Sequence, residues 1–289
     1  MKNFRKTSLL TVVICTLFAY KGWAQKGAFV TVNAGYGFRL GSQTSFDANY
    51  SSNNSSSKAE QVYMSLGKGF NFGGSIGYMF NQNLGVELGV TYLIGAETTF
   101  SEKENYSSGS YTSMYNYTTS ISAKMLQFKP TLIFCTGLGK IKPYAKFGAV
   151  LGKGAIYGES AYKSSYYDPY YGGDTYKSTH KMKLNGGLAF GVNAAMGVTF
   201  PIGSRVQMFS EITMINMSYA PTKGELTEAT QDGTNVLPDI PVRYKKTEFV
   251  DSYTYSYSSS PSESEPDKEL KQKLPFGSIG ANIGIRISL

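Results

Sequence analysis

The stretch Leu184-Asn185-Gly186-Gly187-Leu188-Ala189-Phe190-Gly191-Val192-Asn193-Ala194-Ala195-Met196-Gly197-Val198-Thr199 decides the fold. Every second residue, Leu184, Leu188, Phe190, Val192, Ala194, Met196 and Val198, is apolar, with only Gly186 interrupting the row. The alternate residues are small and partly polar. A period of two sends the two rows to opposite faces of one long strand. The wet face of a soluble sheet carries long charged side chains. Small residues suit the cramped interior of a narrow closed sheet instead, whose apolar outside then meets lipid.

The same rhythm recurs along the chain. A first strand runs from Gly27 to Phe38 with Ala28, Val30, Val32, Ala34, Tyr36 and Phe38 on its apolar face. The second (Lys68 to Phe80) shows Phe70, Phe72, Ile76, Tyr78 and Phe80, and the third (Leu84 to Gly95) shows Leu84, Val86, Leu88, Val90, Tyr92 and Ile94. Leu126, Phe128, Pro130, Leu132 and Phe134 mark the fourth, where Pro130 predicts a bulge or local irregularity because it cannot donate to a ladder. Ala145, Phe147, Ala149 and Leu151 mark the fifth, and the quoted stretch is the sixth. Val206, Met208, Ile212 and Met214 give the seventh; Ile279, Ala281, Ile283, Ile285, Ile287 and Leu289 give the eighth.

Short turns at Asn81–Asn83, Thr136–Lys140 and Pro201–Ser204 alternate with long polar segments, 39–66, 97–120, 153–183 and 220–275, which read as loops, the last largely mobile. The expected fold is all-β: an eight-stranded antiparallel up-and-down transmembrane β-barrel with four long extracellular loops. Short turns belong on the periplasmic side of such a barrel and long loops outside. An open sheet edge in hydrocarbon would strand backbone donors and acceptors, so the ring must close. Roughly 9 to 11 tilted residues cross a bilayer, so the second, third and sixth strands are expected to rise past the outer leaflet. Tyr36, Phe38, Tyr78, Phe80 and Tyr92 supply the interfacial girdle.

Lys2, Arg5 and Lys6, the apolar run Leu9 to Tyr20, and Gly22-Trp23-Ala24 form the three parts of a secretion signal. Residues 1–24 are therefore expected to be a cleaved signal peptide, and 25–289 the outer-membrane domain. Cleavage removes Lys2, Arg5, Lys6 and Lys21 and no acid, so the formal charge falls from +8 to +4. That remainder is too weak and too scattered for a nucleic-acid partner. Cys135 remains as the single cysteine, which excludes an internal disulfide.

These features resemble the small outer-membrane β-barrels of the OmpA/OmpX type. The resemblance runs from Gly27 to Leu289 and is carried by Gly35-Tyr36-Gly37-Phe38, Lys142-Pro143-Tyr144 and the terminal Gly284-Ile285-Arg286-Ile287-Ser288-Leu289. It implies residence in the outer membrane of a Gram-negative bacterium and recognition of the last strand by the barrel-assembly machinery. The family's usual C-terminal aromatic is Leu289 here.

Strand parity points Glu87, Lys129, Lys146, Glu211 and Arg286 inward, where opposite charges at close range would neutralise one another. The expected lumen is polar, closed and salt-bridged, since eight strands leave just enough room for their own side chains. His180 is the single histidine, beside Lys181 and Lys183 in a loop, and no Gly-x-Ser-x-Gly elbow, His-Glu-x-x-His or paired-Cys spacing occurs. No enzyme activity and no cofactor are expected. Tyr162, Lys163, Tyr166, Tyr167, Tyr170, Tyr171, Tyr176 and Lys177, interleaved with Ser and Gly, have the composition of adaptable binding surfaces. Contacts to lipopolysaccharide, glycan or host surface are expected there. The expected role is structural or surface-adhesive; the alternative is a narrow gated channel or transporter, and after that a lipid-modifying enzyme.

Overall fold

The computed structural model describes residues 27–40, 44–136, 141–254 and 262–289; the expected signal peptide lies outside them. The strands are β1 (Gly27–Arg39), β2 (Thr44–Ser52), β3 (Ser57–Tyr63), β4 (Gly69–Met79), β5 (Leu84–Gly95), β6 (Thr98–Ser108), β7 (Tyr111–Cys135), β8 (Lys142–Asp168) and β9 (Gly172–Asn185). There follow β10 (Ala189–Pro201), β11 (Val206–Tyr219), β12 (Lys223–Gln231) and β13 (Thr234–Asn235), a 3-10 turn at Leu237–Asp239 and α1 (Val242–Lys245). β14 (Lys246–Val250), β15 (Asp267–Leu270), β16 (Leu274–Pro275) and β17 (Ser278–Ser288) complete the chain.

Eight of these strands close a ring. β1 pairs with β4, β4 with β5, β5 with β7 and β7 with β8; β8 pairs with β10, β10 with β11, β11 with β17, and β17 returns to β1. Each of these pairings is antiparallel. Side chains follow the sequence alternation. Met196 (72% exposed) and Phe70 (67%) are outward, whereas Thr31, Gln127, Lys146, Glu211 and Arg286 are buried inside. Tight turns set the register: Asn81 Oδ1 accepts from the backbone N–H of Asn83 and of Leu84, both at 2.8 Å, and Ile202 N–H donates to Val206 O at 3.0 Å. Residues 137–140 of the middle turn lie outside the described set.

The small inner row receives large side chains from neighbouring strands. A Cβ on Gly284 would meet the Phe209 ring at 2.5 Å, and one on Gly197 would meet the Tyr144 hydroxyl at 2.7 Å. The interior is therefore a filled layer built from unequal partners.

Three expectations are corrected. The stretch from Leu184 to Thr199 is not one strand: Gly186 and Gly187 take φ of +81° and +69°, a left-handed step that ends β9 and starts β10. Leu184 belongs to β9, and the even spacing across the break is fortuitous. The long polar segments are largely strand: β2–β3, β6–β7, β8–β9 and β12–β15 build a distal sheet, continuous with the ring through β7 and β8, in the order β3-β2-β6-β7-β8-β9-β12-β14-β15, with β13 paired to the end of β12. Residues 255–261 of the last segment lie outside the described set. Finally, β7 (25 residues) and β8 (27 residues) outrun the ring, while β4 (11) and β5 (12) end with it. At Pro130 the ladder to β8 has no partners at 129 and 130, yet register continues from Phe128↔Leu151 to Thr131↔Gly148. The irregularity is a gap without an inserted residue.

Candidate functional site: the ring interior and the distal sheet

β8 carries Tyr144, Lys146 and Val150 up one inner face at increasing height, and β11 does the same with Phe209, Glu211 and Met217. At mid-height the Lys146 ammonium donates to Glu87 Oε1 at 3.1 Å and lies 3.2 Å from Glu211 Oε2. The Tyr144 hydroxyl donates to Glu211 Oε2 at 2.8 Å, and Asn282 Nδ2 reaches Glu211 Oε1 at 3.5 Å. Lys129 lines the same small cavity with Glu87, Lys146 and Glu211 but is in neither ion pair. Arg286 stands lower, its guanidinium 4.4 Å from the centre of the Phe29 ring and 5.7 Å from that of Tyr144. Of the five charges expected inside, three therefore form one ion-paired group, Lys129 borders it, and Arg286 stacks apart from it on aromatics.

The cavity at this level has a volume of about 30 Å³, the share of a single water molecule. Buried charges are tolerable there because each carboxylate meets a cation or a hydroxyl; a lone one would be costly.

Above the charges sits a layer that parity alone did not reveal. Met64, Leu66, Leu93, Met125, Val150, Met217, Tyr219 and Phe276 form one buried apolar cluster. Leu66 and Phe276 come from the links before β4 and β17 and fold inward over the ring. They are fastened by Leu66 N–H to Pro275 O (3.0 Å), Phe276 N–H to Met217 O (2.9 Å) and Ser65 Oγ to Gly277 O (2.5 Å). The Tyr219 hydroxyl lies 2.6 Å from Gly186 O and 3.0 Å from Gly154 O, pinning the break between β9 and β10. The clues in the sequence were Leu93, Val150 and Met217, apolar residues on the inner rows; Leu66 and Phe276 sit in segments without period and left no such signal.

The eight candidate contact residues do not share one surface. Tyr162, Tyr166 and Tyr176 continue the inner face of the ring into the distal sheet, where Tyr115, Tyr162 and Tyr176 pack edge to face at 5.3 and 5.7 Å. Lys163, Tyr167 and Lys177 occupy the opposite face. Tyr170 and Tyr171 crown the β8–β9 turn at 92% and 90% exposure. His180 stands opposite Ser160, and Lys181 bonds Glu228 at 2.9 Å, which raises its pKa above the ordinary lysine value.

No family model matches the chain, and no curated protein matches it. Among solved structures, the crystal structure of CarO2 from Acinetobacter baumannii shares 10% identity over 93% of this chain and all of that one. Its TM-score of 0.29 is too low to bear on fold or function.

Proposed function

We propose that the ring is a solute-tight transmembrane β-barrel of a bacterial outer membrane, and that it holds the distal sheet outside the cell as a contact surface. One observation carries the reading: eight strands hydrogen-bond into a closed circuit whose outward side chains are mainly apolar on every strand, while inside Glu87, Lys146 and Glu211 are ion-paired and Arg286 is stacked on aromatics. Water would not tolerate so extensive an apolar belt on a monomer, and hydrocarbon would not tolerate an open edge. The belt has aromatic margins, with Tyr36 against Phe38 and Phe70 towards the distal sheet, and Tyr78 against Phe80 at the other end.

The filled interior favours a closed barrel over a channel. The contact role is supported by the fully exposed Tyr170 and Tyr171 and by the tyrosine row behind them. The test is refolding of residues 25–289 into phosphatidylcholine vesicles. Heat-modifiable gel migration and no single-channel current are expected; a protein that stays soluble, or steady conductance, would overturn the reading. For the contact role, Ser164–Tyr176 is replaced by Asn-Gly, a two-residue hairpin turn. Loss of binding to lipopolysaccharide, glycan or matrix arrays is expected, and undiminished binding would remove that role from this hairpin.

A further inference from the structure

Outward residues on β7 and β8 change character at one level. Leu126 and Leu151 end the unbroken apolar rows that β7 and β8 carry on the outside of the ring, and two residues further on stand Lys124 and Lys153. Register sets Leu126 opposite Lys153 and Lys124 opposite Ala155, so the two lysines are diagonal neighbours, about 7–8 Å apart at the backbone. Tyr157, exposed on the same face, lies with its ring centre 5.6 Å from the Lys124 ammonium. Lys183 is directly across from Tyr157 on β9.

None of Lys124, Lys153 and Lys183 enters the ion pairs found among the described residues. Acids are near: Glu225 is opposite Lys183, Glu159 is opposite Lys181, and Glu97 follows β5. Glu228, however, is bonded to Lys181, and Lys124 and Lys153 have no acid opposite them. The cluster is one-sided. At the corresponding level β11 presents Asn216 and Ser218, and β1 presents Phe38.

We propose that Lys124, Lys153 and Tyr157, flanked by Lys183, bind the phosphate groups of anionic lipid headgroups in the outer leaflet. The proposal rests on the barrel reading, because the level of the site relative to the apolar belt is what selects a lipid as the source of the phosphate. Lysine is a point-charge phosphate binder, and two ammonium groups with a phenol beside them match a phosphate ester next to a sugar or glycerol hydroxyl. A ligand that binds only the folded chain stabilises it in proportion to the logarithm of its concentration.

The full mature chain is refolded into phosphatidylcholine vesicles with and without lipopolysaccharide, as wild type and as Lys124→Gln/Lys153→Gln. A double variant of equal charge loss, Lys103→Gln/Lys268→Gln, is the control. All three are expected to insert into neutral vesicles, as read by gel migration. Lipopolysaccharide is expected to raise the urea midpoint of wild type and control, and the Lys124/Lys153 variant should need at least about tenfold more of it for the same shift, about 1.4 kcal/mol of binding. Dephosphorylated lipopolysaccharide and millimolar inorganic phosphate should give no such rise. Equal protection of the Lys124/Lys153 variant, or equal protection by the dephosphorylated lipid or by free phosphate, would overturn the site. Failure of the wild type to enter neutral vesicles would instead remove the barrel reading, and the site with it.

Discussion

At the scale of single residues, the interior is governed by Glu211. Its carboxylate receives Lys146, the Tyr144 hydroxyl and Asn282, so it is the junction of the inner polar group. Glu211→Ala leaves Lys146 with only Glu87 and is expected to lower stability by about 3–5 kcal/mol, as for one half of a buried pair. Tyr144→Phe, which removes one hydrogen bond to a charged acceptor, should cost about 1.5–3 kcal/mol. Urea unfolding in vesicles checks both, and neither variant should conduct, because the apolar cluster of Leu66, Met125, Met217 and Phe276 still covers the ring. Parity sufficed to turn Glu87, Lys146 and Glu211 inward, since a period of two fixes the face of every residue. It did not give depth along the axis of the ring, so it could not separate Arg286, which stacks on Phe29, from the carboxylates higher up.

At the scale of elements, the break between β9 and β10 shows what alternation hides. Leu184 and Leu188 keep the two-residue rhythm, yet two glycines at positive φ lie between them and the chain passes there from the distal strands to the ring. Gly187→Ala puts an L side chain in the left-handed region, where a Cβ also meets Ala220 O at 2.6 Å; a loss of at least about 1–2 kcal/mol is expected, measured as a lower urea midpoint. The polar segments misread as loops were illegible for a different reason. Their strands alternate Tyr with Ser, Thr or Asn instead of apolar with small, as in Tyr115-Asn116-Tyr117-Thr118, so both faces look polar while β-propensity and hairpin pairing still build a sheet. Its outlying hairpin, β2–β3, is clipped to β6 where Asn54 bonds both the N–H and the carbonyl of Ser107. Asn54→Ala should raise amide exchange over 49–56 and leave the exchange of the ring strands unchanged.

At the scale of the whole molecule, a membrane reading makes a sidedness prediction. All the hairpins of the distal sheet leave the same end of the ring, and the turns at Asn81–Asn83 and Ile202–Ser204 leave the other. Protease added to intact cells should cut within the distal sheet, at lysines such as Lys163 or Lys177, and spare Arg205; cleavage at Arg205 in intact cells would contradict the orientation. The distal sheet and the ring have no hinge between them where it matters most. β7 and β8 pair with each other from Thr112↔Tyr167 down to Cys135↔Tyr144, through the distal sheet and the ring, in one register interrupted only at 129–130. A tug on the tyrosine-capped tip would therefore load these two rods lengthwise, putting rung after rung under shear together instead of unzipping them singly. Anything grasping the tip would find a stiff mast continuous with the ring, not a tether.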